Sequence, residues 1–121
     1  MILAAVDDFL FRSKIRTTAK QAGVDLTFVR SAADVLEEAR AQKPTLVIFD
    51  LNSDKGDPVS TIAAMKQDPA LAGISTLAFV SHVHAGLIQA AREAGADAVM
   101  PRSAFATQLA EILLADRTPK P

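Results

Sequence analysis

The sequence contains no cysteine, which excludes disulfide staples, thiol nucleophiles and thiolate metal ligands together. Stability must come from packing. Histidine is scarce: His82 and His84 are the only two, too few for a convincing zinc site. Charge of one sign is lacking, with 13 lysines and arginines against 14 aspartates and glutamates and a formal net charge of -1. That balance gives no bulk attraction to nucleic acid, an anionic membrane or an acidic substrate. Arg12, Lys14 and Arg16 read as the solvated face of a helix, because neither a basic excess nor an aromatic base platform accompanies them. Long apolar runs are also missing. Met1 to Val6 is apolar, but Asp7-Asp8 interrupts it far short of the ~20 residues that span a bilayer, and no basic segment precedes it. The expectation is a first strand in a cytoplasmic protein. The turn Asp7-Asp8-Phe9 lacks the glycines that close approach to a pyrophosphate requires, which argues against a dinucleotide site.

What is present suits one compact domain. The chain has 121 residues, 50% hydrophobic and 22% charged, enough for a sizeable core inside a soluble surface. Residues 1–118 are expected to form that domain and 119–121 a short solvated tail. Five apolar runs recur, at Ile2 to Val6, Val24 to Val29, Thr45 to Phe49, Ile74 to Val80 and Ala98 to Met100. Most lack alternating polarity, the pattern of parallel strands covered on both faces. Each is followed by a segment with helical spacing. Phe11, Ile15, Ala19 and Ala22 form one apolar face, stopped at Gly23. Val35, Leu36 and Ala39 mark a second, with Ser31 as a candidate cap. Val59, Ile62 and Ala63 mark a third, beginning beside Pro58 and ending at Asp68-Pro69. Leu87, Ala90, Ala91 and Ala94 precede Gly95, and Phe105, Leu109, Ile112 and Leu113 close the series. Five β-α units with right-handed crossovers most simply make a doubly wound α/β fold.

In such a fold the loops at the carboxyl ends of the strands meet. Asp7 and Asp8 follow the first strand, Asp50 and Asn52 the third, Ser81 and His82 the fourth, and Arg102 the fifth. Three crowded carboxylates repel one another unless a cation compensates them, and oxygen donors of this kind suit Mg2+. Each residue also has an ordinary role available. Asp7 or Asp8 can cap the helix near Phe9, Asp50 can be a solvated loop carboxylate, Ser81 a turn residue and Arg102 a surface ion-pair partner. A phosphoryl group gives the set a common purpose, in which Asp50 attacks it, Mg2+ neutralises its oxygens, and Ser81 with Arg102 binds the new negative charge.

At these positions the chain resembles the receiver (CheY-like) domain of bacterial two-component response regulators. The resemblance is carried by the acidic pair Asp7-Asp8, Asp50 ending the third strand, Asn52 two residues later, Ser81 ending the fourth strand, and the turn Ala94-Gly95-Ala96-Asp97-Ala98. It implies a flavodoxin-like (βα)5 fold, a five-stranded parallel sheet of order 2-1-3-4-5. It also implies a Mg2+ site on Asp7 or Asp8 together with Asp50, with the Asn52 carbonyl contributing. Asp50 would take phosphoryl from a histidine kinase, a histidine phosphotransfer protein or a small phosphodonor, with Ser81 and Arg102 completing the catalytic set. Output would pass to a downstream protein through the fourth helix, fifth strand and fifth helix, with no direct nucleic-acid or membrane partner and room for a weak homodimer. Turnover would be limited to self-phosphorylation and self-dephosphorylation.

Four positions depart from the family pattern. Arg102, followed by Ser103, stands where lysine before proline is usual, and Pro101 lies one residue earlier. Val99 replaces a common aromatic switch residue. His82 takes a place usually held by a small residue, and Asp54 stands where proline is frequent. These departures leave the minimum charge arrangement for acyl-phosphate formation and weaken the usual aromatic readout. A pseudo-receiver that binds partners without phosphorylation is the second reading. A small hydrolase using the acidic cluster is the third.

Overall fold

The computed structural model describes residues 1–53, 57–81 and 84–115. Its elements alternate strictly: β1 (Ile2–Ala5), α1 (Phe9–Ala22), β2 (Leu26–Phe28), α2 (Ala32–Gln42), β3 (Leu46–Asp50), α3 (Pro58–Gln67), β4 (Ser75–Val80), α4 (Ala85–Ala94), β5 (Ala98–Pro101) and α5 (Arg102–Ala115). The strands form one sheet of order β2-β1-β3-β4-β5, and every pairing is parallel. This is the flavodoxin-like (βα)5 arrangement expected from the sequence. Position 54, position 82 and the tail at 119–121 lie outside the described residues.

Alternation along the central strands divides the core in two. Leu3, Ala5, Val47, Phe49, Ala78 and Val80 face one way and pack with Val35, Ala39, Ile62, Met65 and Ala91 from α2, α3 and α4. Ile2, Ala4, Ile48, Leu77 and Phe79 face the other way and meet Phe11, Ile15 and Ala19 of α1 and Phe105, Leu109 and Leu113 of α5. Burying each large side chain is worth about 1.5–3 kcal/mol, and both faces of β1, β3 and β4 collect it. That is why these strands read as unbroken apolar runs.

Local signals set the helix ends. Asp8 caps α1 by accepting the Phe11 N–H at 2.9 Å, and Asp57 caps α3 by accepting from Ser60 at 3.1 Å with Pro58 just inside. Gly23 and Gly95 close α1 and α4 in the left-handed region, at φ 69° and 105°. The structure revises two details. Ser31 precedes α2 but makes no side-chain cap bond; its hydroxyl turns to Asp34 at 3.4 Å. The second strand is Leu26–Phe28, shorter than the apolar run around it: the Val24 N–H turns back to Ala19 at the end of α1, while Val29, just past the strand, still donates to Ala4 of β1. Among the described residues no helix is long and apolar enough to cross a membrane.

Candidate functional site

Strand register brings the polar residues together. Ala5 pairs with Phe49, so the chain leaves β1 at Asp7-Asp8 beside the point where β3 ends in Asp50. Asp50 pairs with Phe79, two residues before Ser81. Val80 pairs with Pro101, which delivers Arg102, the first residue of α5, next to Ser81. Asp7, Asp8, Asp50, Asn52, Ser53, Ser81 and Arg102 line one cavity of about 360 Å³. Every catalytic and metal-site candidate read from the sequence is therefore on this wall, and Ser53 joins them.

The three carboxylates differ in what already holds them. One oxygen of Asp8 accepts the Phe11 N–H and the other accepts Arg102 Nη2 at 3.1 Å. The Phe11 N–H, followed by Arg102, holds Asp8 below the usual carboxylate range. Asp7 accepts a hydrogen bond from the Ser53 hydroxyl. Asp50 is 6% exposed, and among the described residues one hydrogen bond reaches its carboxylate, from the Asn52 N–H at 2.9 Å. Burial pushes Asp50 above the usual range; the Asn52 bond and Arg102 oppose that shift, while Asp7 and Asp8 add to it. A hard cation would relieve this crowding.

The oxygen donors fit such an ion in chemistry. In the arrangement seen, Asp8 is turned to Arg102 and Asp7 to Ser53, and among the described residues no group of three or more histidine, aspartate or glutamate side chains is set to hold a metal. A cation that used the Asp8 oxygen now bonded to Arg102 would have to displace the guanidinium. The side chain of Asn52 is a strut, its Oδ1 accepting the Ser81 N–H at 2.6 Å, and this leaves its backbone carbonyl as the proposed ligand group. Arg102 reaches further than an exposed ion pair: Nη1 lies 3.5 Å from Ser81 Oγ and its guanidinium carbon sits 4.3 Å from the centre of the Phe11 ring.

Sequence reasoning missed Ser53 and Phe11. Ser53 lies three residues beyond Asp50, inside the same loop, and its position was the available signal. Phe11 belongs to the core, yet its ring also lies against Arg102. His84 accepts the Leu87 N–H through Nδ1 at 3.2 Å and caps α4. Val99 is partly buried against the α2–α3–α4 face; the aromatic cluster lies on the opposite face, in Phe11, Phe79 and Phe105.

No protein-family model matches the chain, and no curated protein matches it. Solved structures do. A response regulator protein from Burkholderia multivorans is 26% identical with a TM-score of 0.78, covering 99% of this chain and 96% of that one. The fold is that of response-regulator receiver domains. The Mn2+-bound form of response regulator Rcp1 shares this receiver fold at 21% identity and a TM-score of 0.73, covering 94% of this chain and 88% of that one. The phosphorylated cyanobacterial phytochrome response regulator RcpA does so at 23% identity and 0.78, with the same coverage.

Proposed function

We propose that this chain accepts a phosphoryl group on Asp50 within a two-component phosphorelay, with Mg2+ as cofactor, and passes the signal on by protein contact. The observation that carries the reading is Asp50 itself: a buried carboxylate with one hydrogen bond among the described residues, facing two further acids and an arginine across one cavity. A carboxylate kept for structure is normally saturated with donors. The Mn2+-bound and phosphorylated neighbours of the same fold support the cofactor and the chemistry.

Asp7, Asp8, Asp50 and the Asn52 carbonyl would hold the ion, which supplies neutralising charge to the phosphoryl oxygens. An Asp50 oxygen attacks phosphorus on a phosphohistidine of a kinase or phosphotransfer protein. The new O–P bond forms as the P–N bond breaks, and the imidazole leaves with the bonding pair and regains neutrality by taking a proton from solvent. Ser81 donates its hydroxyl to the phosphoryl group, and Arg102 offers a planar fork for the remaining charge. Phe9 and Leu10, each 79% exposed just after Asp8 at the start of α1, give a protein donor an apolar foothold. The α4–β5–α5 surface is the expected route to a downstream protein.

Intact-mass analysis after incubation with Mg2+ and a small phosphodonor tests the reading. One added phosphoryl group on the wild type and none on Asp50→Ala is expected; no gain from a small donor or from a phosphohistidine protein overturns it. The second reading, a phosphate-independent interaction domain, is favoured by the closed Asp8–Arg102 pair and by Val99. It requires partner affinity to be unchanged by Asp50→Ala and by removal of Mg2+.

A further inference from the structure

The contact between Arg102 and Phe11 joins two features that the proposed chemistry leaves separate. Phe11 is 6% exposed, and its ring packs edge-on against Phe79 at 5.2 Å and Phe105 at 5.7 Å. It cannot turn without disturbing the core on that face. The Arg102 guanidinium lies over this fixed ring at 4.3 Å while its Nη2 bonds Asp8 and its Nη1 points to Ser81. The Phe11 N–H in turn bonds the other oxygen of Asp8. One residue therefore fixes both members of the ion pair, the carboxylate through its backbone and the guanidinium through its ring.

We propose that Phe11 is a positioning residue of the phosphoryl-accepting site, holding Arg102 flat between Asp8 and Ser81 so that the guanidinium competes with the divalent cation when the site is empty and is already placed for the oxyanion when it is filled. This rests on the phosphoacceptor reading above and adds to it a residue that touches neither cation nor phosphoryl group. A cation that binds the outer oxygen of Asp8 takes it from Arg102. The released guanidinium stays over the ring, within reach of Ser81, where the phosphoryl oxygens gather. Planarity is what makes this work: an ammonium group has no face to lay on the ring.

The two effects have opposite signs, which distinguishes positioning from support of the fold. Replacing the ring by an aliphatic side chain loosens the competitor and the receptor together. In Phe11→Leu the affinity for Mg2+, measured by calorimetric titration with the metal alone, should rise about threefold, while the rate of acyl-phosphate formation from a small phosphodonor at saturating Mg2+ should fall by a similar factor. Phe105→Leu is the control, since Phe105 stacks on Phe79 at 4.7 Å in the same cluster and has no contact with Arg102 among those described. It should lower stability comparably and leave both quantities within about twofold of wild type. Arg102→Lys, which keeps the charge, should reproduce the Phe11→Leu pattern. Equal effects in Phe11→Leu and Phe105→Leu, or a fall in both quantities in Phe11→Leu, would overturn the proposal and leave the phosphoacceptor reading standing. A wild-type chain that binds no Mg2+ and takes no phosphoryl group overturns that reading itself, and this inference with it.

Discussion

Two carboxylates at opposite edges of the same sheet have been put to opposite uses. At the amino end of β5, Asp97 is held by several donors at one oxygen. Its Oδ2 accepts the Thr76 N–H at 2.8 Å, the Thr76 hydroxyl at 3.2 Å and Lys66 Nζ at 3.0 Å, while its own N–H returns to Thr76 Oγ1 at 3.1 Å. At the carboxyl end of β3, Asp50 is nearly as buried as the apolar residues before it and accepts one bond from the described residues. Burial raises the proton affinity of both. At Asp97 the bonds from Thr76 and Lys66 outweigh it and the net shift is downward; at Asp50 burial prevails and the shift is upward. The first carboxylate ties α3, β4 and β5 together. The second carries a charge that burial and two neighbouring acids disfavour and that a cation would relieve, the kind of local conflict that proteins keep at functional sites.

The comparison can be broken first at its structural end. Asp97→Ala leaves the buried Thr76 N–H without that partner and should cost about 2 kcal/mol in urea unfolding at neutral pH, most of it from that amide, since the half-exposed ion pair with Lys66 is screened by solvent. Because the folded-state proton affinity of Asp97 is lowered, its contribution is present above the ordinary carboxylate range and lost as pH falls through it. The gap between wild type and Asp97→Ala should therefore narrow below about pH 4. Gly95→Ala strikes the same corner through the backbone: φ is 105°, and the new Cβ would lie 2.8 Å from Cγ of Lys66. A loss of about 1–2 kcal/mol is expected from the same unfolding measurement.

At the other end the effects are smaller and change sign. Asp8→Ala removes the cap of α1 together with the partner of Arg102, and its urea midpoint should fall by less than that of either variant above. Asp50→Asn should instead stabilise the metal-free chain at neutral pH. Its folded-state proton affinity is raised, so wild-type Asp50 is least costly below the unfolded pKa and grows costlier as pH climbs. The gain should vanish near about pH 3 and reach its plateau towards neutrality. Mg2+ at about ten times its Kd should add about 1.4 kcal/mol to the wild type and nothing to Asp50→Asn. Equal responses of the two chains to Mg2+ would erase the distinction between the corners.

Most of the scaffold was readable from residue type alone, for physical reasons. β1, β3 and β4 are buried on both faces, so their runs of Ile, Leu, Val and Phe have no polar interruption. Gly23, Gly95 and Pro58 mark helix ends because few other residues suit those backbone angles. Once parallel order is inferred, the edge that gathers Asp7, Asp8, Asp50, Ser81 and Arg102 follows from strand polarity. What was not readable depends on side-chain direction. Ser31 stands at a cap position, but its hydroxyl prefers Asp34. Arg102 sits beside Phe11 although the two belong to the first and last helices, and a ring at helical spacing reads as core whether or not a guanidinium covers its far side. The Ser53–Asp7 bond depends on how the loop after β3 turns back, and no residue-type signal specifies that.

In the proposed chemistry Asp50, alone among the described carboxylates, becomes the acyl phosphate. Treating the Mg2+- and donor-loaded chain with borohydride reduces an aspartyl phosphate to homoserine, which peptide sequencing by mass then locates. Homoserine at position 50 and nowhere else, absent when Mg2+ is chelated, is the expected result. Homoserine at Asp7, Asp8 or another acid, with Asp50 intact, would contradict it.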